Sequence, residues 1–488
     1  MKRLVVSGAM WVGIGQAVRM LTTFATVFVL ARLLTPTEFG VIAIIIAIAL
    51  AANVLGSFGL GPVAVQKEEI NDDELSTIFW FNLVASAALT LFIVVSAEWI
   101  AIFLEAPELT FPLQVSAIIF PATTVRVAHR AILERALNFK KIALAEVIGT
   151  IAGAAVAVGL AFWGAGIWAL VGQQITLAVT ASASYFFMSR WLPRWHFSFE
   201  KCIEFLVTGW KLTVSEILVL FSTNINRPII SIALGIEALG FYNFAQQLIS
   251  YPYRNVAAVL QSLLFPVLSR VQNEEEKFTH IHLSFLHILA LVMTPIVVVI
   301  FAMGEKIVLV FFGAKWLPIV DFLYLIGFAA LIGAFRQALK SVLLAKAKAN
   351  VLMGIETAST ILNISALLIG VNYGLKGVAL CTLIAASITL TLTIIFFVNY
   401  LNYQYQAFFK VLFPVCLSNA LTALVLLADP AKYVTDSAFV NIVLSVLLAG
   451  VIYVLGELLF DRKRFLFLLN TLQEALLKRP KPTIESAQ

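Results

Sequence analysis

The chain has 488 residues, of which 61% are hydrophobic and only 12% charged, with a mean hydropathy of +0.98. That composition excludes a soluble globular protein of this length and implies an all-α integral membrane protein, because a lipid-embedded segment must satisfy every backbone amide internally. The net charge of +6 and pI near 9.1 follow from Lys and Arg clustered in loops, and do not point to a nucleic-acid partner.

Apolar runs of about 20 residues, the length that crosses a bilayer, follow one another along the sequence. Six are predicted near 10–31, 40–62, 76–97, 110–128, 142–162 and 166–188. Six more lie near 205–225, 239–265, 281–302, 317–341, 351–371 and 375–398, and a final pair near 410–428 and 439–459. These are about 14 transmembrane helices. Met1-Lys2-Arg3, ahead of the run from Trp11, lacks a small-residue cleavage site and reads as the start of a retained helix, not a signal peptide. Gly149, Gly153 and Gly159 in the fifth run are expected at close-packing positions.

Loop charges fix an expected orientation. With the N-terminus cytoplasmic, one inward loop holds Arg130, Arg135, Lys140 and Lys141, and another Arg190, Arg194 and Lys201. The tail adds Arg462, Lys463, Arg464, Lys478, Arg479 and Lys481, while the outward segments hold Arg32, Arg227, Lys306, Lys315, Lys376 and Lys432. This is the positive-inside asymmetry. It places both termini in the cytoplasm.

No polar segment is long enough for an extramembrane domain; the longest are 64–75, 189–204, 269–280 and the tail from Asp461. Cys202, Cys381 and Cys416 are isolated and suggest neither a disulfide framework nor a metal site. No phosphate-binding loop of the ATPase type occurs. His280, His282 and His287 follow Glu274, Glu275 and Glu276 and read as a cytoplasmic interface cluster, not metal ligands. Without a Ser/His/Asp or Cys/His constellation the chain is not expected to be an enzyme, and no cofactor is expected beyond H⁺ or Na⁺ that could couple transport.

The chain repeats itself. Arg126 and Arg130 recur 210 residues later as Arg336 and Lys340, Glu146 as Glu356, Thr150 as Thr360, and Gly164 as Gly374. Ser7-Gly8-Ala9-Met10-Trp11 is answered by Thr208-Gly209-Trp210, and LLTPTEFGVI (33–42) by ALGIEALGFY (233–242) at an offset of 200. AEWIAIF (97–103) answers GEKIVLVFF (304–312), and WGAGIWAL (163–170) answers YGLKGVAL (373–380). The predicted organisation is therefore a six-helix lobe over 1–200, a second over 201–400, two added helices over 401–460 and a basic tail over 461–488. Units of six helices point the same way, so the lobes are expected to be related by a pseudo-two-fold along the membrane normal, with a cavity between them.

VLARLLTPTEFGVIA (29–43), HRAILERALNFKKIALAE (129–146), GFYNFAQQLISYP (240–252) and LLFPVLSRVQ (263–272) resemble the signature stretches of bacterial Wzx-type oligosaccharide flippases, most of all the colanic-acid-exporter branch. Their superfamily also holds lipid II flippases and multidrug exporters of the MATE type. The likeness covers about 1–460. It implies movement of an undecaprenyl-pyrophosphate-linked oligosaccharide from the inner to the outer leaflet of the bacterial inner membrane, for O-antigen, exopolysaccharide or capsule assembly. It also implies a polymerase and export machinery as partners.

The residues point the same way by themselves. Arg19, Arg126, Lys211, Arg254, Arg336 and Lys340 fall within or near the ends of predicted spans. A cation at a helix centre costs about 2.5–3.5 kcal/mol on the insertion scale, which a water-filled cavity, a counter-ion or an anionic substrate offsets. Arg offers pyrophosphate a two-pronged set of donors, so these six are the candidate substrate-binding residues. Snorkelling to the interface is the competing explanation for Arg126 and Arg336, and pairing with Glu216 or a place near the cytoplasmic face for Lys211. Glu146, Glu216 and Glu356 are candidate coupling groups or counter-ions. Asn224, Asn226, Asn243, Gln246 and Gln247 could meet sugar hydroxyls. Arg19 and Arg254 are expected to face the cavity, and Pro121, Pro252 and Pro266 to mark bending points. A MATE-like cation-coupled exporter remains the alternative, although its cationic substrates call for a cavity dominated by acids. A non-transporting scaffold also stays open.

Overall fold

A computed structural model describes residues 2–346, 348–401, 405–428, 437–462 and 465. Among these residues it is helical throughout, with seventeen α-helices. They are α1 (Lys2–Leu33), α2 (Pro36–Ser57), α3 (Leu60–Gln66), α4 (Asp72–Phe103), α5 (Thr110–Ser116), α6 (Ile119–Arg135), α7 (Phe139–Phe162) and α8 (Ile167–Ser189). There follow α9 (Phe199–Asn224), α10 (Asn226–Leu234), α11 (Ile236–Arg270), α12 (Glu275–Ile307), α13 (Val320–Ala345), α14 (Ala349–Gly370), α15 (Gly374–Leu401), α16 (Tyr405–Ala428) and α17 (Ala438–Phe460).

Eleven helical stretches among the described residues are long and apolar enough to cross a membrane. One of them, Asn350–Phe397, contains both α14 and α15. α8, diluted by Gln173 and Gln174, and α11 lie outside that criterion but match predicted spans. Counted in this way, the helices follow the order of the fourteen predicted runs. The chain is an all-α membrane protein.

Local sequence sets the helix starts. Pro36 opens α2 behind Thr35, whose hydroxyl accepts from the Glu38 amide at 3.4 Å while the Glu38 carboxylate accepts from the Thr35 amide at 2.6 Å. Asn71 and Glu74 cap α4 in the same reciprocal way, at 2.8 and 3.2 Å. The fourth predicted span breaks into α5 and α6 just ahead of Pro121, as expected of a bending point. α11 runs through positions 252 and 266 as one helix; the side chains of Pro252, Arg254 and Pro266 lie outside the described residues, as does the tail from 466 onward.

The chain forms two compact units, the first comprising Met1–Gln247, Phe311–Ile319 and Leu367–Val378. Within this unit Gly8 and Gly209, which open the two halves of the repeat, both sit at close approaches. A Cβ on Gly8 would meet the Phe139 ring at 2.6 Å, and one on Gly209 the carbonyl of Phe58 at 2.3 Å. The tightest crossing joins α2 to α11. A Cβ on Gly40 would lie 2.0 Å from the carbonyl oxygen of Ile236, and one on Gly240 would lie 1.8 Å from that of Pro36. Around this crossing Phe39, Phe244 and the buried Trp316 stack edge to face or tilted, and Trp316 Nε1 donates to the Ala31 carbonyl at 2.8 Å.

α7 and α8 pack through small residues. Cβ atoms on Gly149 and Gly153 would meet Ala181 Cβ and the Gln173 carbonyl, each at 2.8 Å. Gly159 does not belong with them: nothing lies within 4 Å of its Cβ direction. Its position on the helix places it away from α8, and a spacing of small residues does not reveal which face meets a neighbour.

Arg135, at the end of α6, closes the far end of α3. Its guanidinium donates to the carbonyls of Ala64 at 3.0 Å, Val65 at 3.4 Å and Glu68 at 2.8 Å, and to that of Lys67. A cation on the last carbonyls of a helix also meets the negative end of its dipole. Replacing Arg135 with Ala would leave these acceptors without the charged donor, and a loss of about 1–3 kcal/mol is expected. Thermal unfolding of the purified membrane protein should show the drop, with Arg135→Lys intermediate.

The second unit, Leu248–Val310, Val320–Ala366 and Ala379–Gln488, centres on α12. α13, α16 and α17 pack against α12, with Leu268, Phe278, Leu286, Val342, Leu343 and Phe397 among its fully buried apolar side chains. His282 and His287 are buried here, His282 beside Phe397 and Phe408 and His287 Nδ1 at 3.4 Å from the Val411 carbonyl. The expected interface cluster is therefore corrected: α12 buries two of the three histidines, His282 among aromatic rings, and leaves Glu274, Glu275 and Glu276 at its start exposed.

Candidate functional site

The repeated ionisable residues fall in two similar clusters. In the first unit, Arg19 of α1 and Arg126 of α6 converge on Glu146 of α7, at 3.5 and 3.9 Å. Tyr185 of α8 donates to the same carboxylate at 2.9 Å, and Arg19 also bonds Gln16 one turn back. In the second unit, Arg336 and Lys340 of α13 converge on Glu356 of α14, at 2.9 and 3.3 Å. Thr150 and Thr360, which also match in the repeat, each donate to the carbonyl of the glutamate four residues back, at 2.8 and 2.9 Å. Gly164 and Gly374 both take positive φ, +79° and +72°, in their respective turns. The repeat thus keeps the Arg126–Glu146 and Arg336–Glu356 contacts, while the second cation differs: Arg19 from α1 in the first cluster and Lys340, the counterpart of Arg130, in the second.

The charge balance is the same in both clusters: two cations meet one carboxylate, leaving a net positive charge. Side-chain exposure runs from 17% at Glu146 to 33% at Arg19 and Glu356, so these groups sit at partly open sites and not in a dry core. Arg126 is the least satisfied member. Its Nη1 is buried without a hydrogen-bond acceptor, being too far from Glu146 for more than charge attraction. A buried guanidinium donor left open in this way is costly unless an anion completes it.

The other expected site residues are dispersed. Arg130 pairs not with Glu146 but with Glu134 one turn on at 2.7 Å, at the half-exposed surface. Lys211 and Glu216 on α9 are both exposed, and among the described residues neither takes part in an ion pair. Asn226 and Gln246 both donate to the buried Tyr242 hydroxyl, at 3.4 and 3.0 Å, and Asn243 keeps a buried amide nitrogen without a partner. Asn224 is bonded within its own helix, its amide nitrogen donating to the Leu220 carbonyl at 3.1 Å.

Sequence reasoning missed two features. Tyr185 carries no signal in the sequence, since its role exists only where α7 and α8 touch. An apolar cavity of about 650 Å³ opens in the first unit between α2, α4 and the α9–α10 junction, lined by residues such as Ile48, Leu55, Phe92, Phe103 and Phe221, with Asn224 its polar edge. No periodicity sets these apolar residues apart from lipid-facing ones.

Residues 29–321 match a family described as polysaccharide biosynthesis protein. The succinoglycan biosynthesis transport protein of Rhizobium meliloti is 28% identical over 60% of this chain and 59% of its own length. The lipopolysaccharide biosynthesis protein WzxC of Escherichia coli is 26% identical over 75% of each chain. Among solved structures, the lipid II flippase MurJ in an inward closed conformation superposes with a TM-score of 0.74, at 16% identity, over 94% of this chain and 99% of that one. That likeness establishes a shared fold.

Proposed function

We propose, because this chain belongs to the polysaccharide biosynthesis protein family, that it is a transporter which flips an undecaprenyl-pyrophosphate-linked oligosaccharide from the inner to the outer leaflet of the bacterial inner membrane. The product would feed O-antigen, exopolysaccharide or capsule assembly, and a polymerase and export machinery would act next. The observation that carries the reading is the pair of net-positive clusters, Arg19–Arg126–Glu146 and Arg336–Lys340–Glu356, each with more cation than carboxylate. A pyrophosphate brings two or more negative charges and several acceptors, and a guanidinium such as that of Arg126 presents donors in matching geometry. Arg254 and Lys211 complete the proposed set. The apolar cavity beside α2 and α4 suits a hydrocarbon chain, because burying such a chain needs no polar partner.

The lobes over 1–200 and 201–400 would alternate access to the two sides around a pseudo-two-fold, with both termini cytoplasmic. An aromatic group at 191–197 fits one of the two membrane–water boundaries. Trp195 is almost fully exposed and stacks on Trp80 at 4.6 Å beside Arg194, the arrangement expected at a membrane–water boundary. A MATE-like exporter of cations is disfavoured by the same clusters, whose surplus charge would repel its substrates.

Removal of the gene should cause lipid-linked oligosaccharide to accumulate on the cytoplasmic side of the membrane, read by mass spectrometry of extracted lipids together with accessibility to an impermeant probe. Reconstituted protein should restore movement across vesicles carrying that lipid. Unchanged lipid pools and no movement in vesicles would overturn the reading.

A further inference from the structure

Glu457, near the end of α17, is fully buried within the second unit and neither of its carboxylate oxygens has a hydrogen-bond partner. A buried ionisable group in a membrane helix has a physical reason to be there, and a bare carboxylate without a donor or counter-ion is among the least tolerable. Its polar neighbours are Ser418 of α16, which lies 3.0 Å from where a Cβ on Gly456 would sit, and Tyr453 one turn back.

The hydroxyl of each of those neighbours has a single proton, and a backbone carbonyl competes with Glu457 for it. The Ser418 hydroxyl donates to the Pro414 carbonyl at 3.0 Å, and the Tyr453 hydroxyl to the Leu291 carbonyl of α12 at 3.0 Å. Beyond Tyr453, Asn419 spends its amide hydrogens on Thr294 at 2.8 Å and the Val415 carbonyl at 2.7 Å. While the carbonyls hold those protons, what Ser418 and Tyr453 offer Glu457 is lone pairs. A carboxylate facing lone pairs is repelled, whereas a protonated carboxyl has one O–H to give and satisfies itself and an acceptor at once. Glu457 is fully buried, and a proton is the cation that needs no added space there.

The charged surroundings agree. On α17 the other titratable group is Tyr453, and just beyond its end lies the partly exposed Asp461, a second carboxylate that raises local negative charge. On α16, Lys410 is exposed and makes no ion pair with Glu457. On α12, His287 is engaged near Val411, about two turns of α16 from Ser418. No Lys or Arg among the described residues neutralises Glu457.

We propose that Glu457 is a proton-binding site, loaded and released through the open end of α17 beside Asp461 as the protein cycles, so that proton movement drives export. This rests on the transport reading and gives it an energy source. On loading, the carboxylate takes a proton from water and donates a hydrogen bond to Ser418 or Tyr453; on release, the proton returns to water and the carboxylate must be rehydrated.

Infrared difference spectroscopy on full-length protein in lipid nanodiscs tests the site without any transport assay. A protonated-carboxyl stretch should be present near neutral pH, fall as pH is raised, be absent in Glu457→Gln and persist in Glu457→Asp. In proteoliposomes an imposed pH gradient should accelerate movement of the lipid-linked oligosaccharide by the wild type and have no such effect on Glu457→Gln. A stretch that never titrates would make Glu457 a fixed structural acid and overturn the proposal. Replacement of the stretch by a sodium-dependent carboxylate signal would overturn it in favour of a metal-cation site. Failure of the wild type to move the lipid under any condition would instead remove the transport reading, and the infrared result would still decide whether Glu457 binds a proton.

Discussion

Arg19→Ala is expected to reduce export at least tenfold while leaving the protein inserted at normal abundance. The ion pair between Arg19 and Glu146 is 3.5 Å long and the arginine is one-third exposed, so its loss should change stability by no more than about 1 kcal/mol. A tenfold fall in function corresponds to about 1.4 kcal/mol, and would have to come from the substrate. Arg19→Lys should recover part of the activity, since it restores charge but not the guanidinium fork. Glu146→Gln separates the two explanations. If Glu146 only holds Arg19 and Arg126 in place, its neutral isostere leaves both cations free for an anion, and export should persist better than in Arg19→Ala. If the pair is purely structural, the two variants should lose export and melting temperature together. Full export by Arg19→Ala, measured from lipid-linked oligosaccharide levels, would remove Arg19 from the site.

The second large effect is expected from a single methyl group. Gly40→Ala would place a carbon 2.0 Å from the Ile236 carbonyl oxygen, and Gly240→Ala would place one 1.8 Å from that of Pro36. Both obstacles are backbone atoms that cannot rotate aside, so α2 and α11 must separate. Overpacking of this kind costs on the order of 3 kcal/mol. Either variant should melt several degrees lower or fail to accumulate in the membrane. The double variant should cost much less than twice as much, because one separation relieves both clashes. Gly159→Ala is the control: with open space around it, a small gain in helix propensity of up to about 1 kcal/mol is expected. Normal folding of Gly40→Ala and Gly240→Ala would mean that the helices do not cross as closely as described.

Much of this was legible in the sequence because bilayer physics is one-dimensional. Apolar runs near 142–162 and 439–459 needed no tertiary information to become α7 and α17. The repeat went further, since residues that recur at one offset tend to recur in one environment; Arg126 with Glu146 and Arg336 with Glu356 came together accordingly. What stayed hidden depends on which way a helix is turned. Gly159 shares its spacing with Gly149 and Gly153 but not their face. His282 and His287 sit beside a charged stretch, yet the helix rotates them into the core. Glu457 lies four residues before the charged Asp461, and only the structure shows that it is fully buried.

The α2–α11 crossing carries one more consequence. Gly40 stands 200 residues before Gly240, and Pro36 stands 200 before Ile236, so each glycine presses on the counterpart of the residue that presses on its own twin. Such self-complementarity is how two identical subunits meet across a homodimer axis, where residue i touches j and j touches i. This single chain has therefore kept an isologous seam within itself: a half-length ancestor could have closed upon a second copy there, and fusion of the two genes needed to invent no new surface.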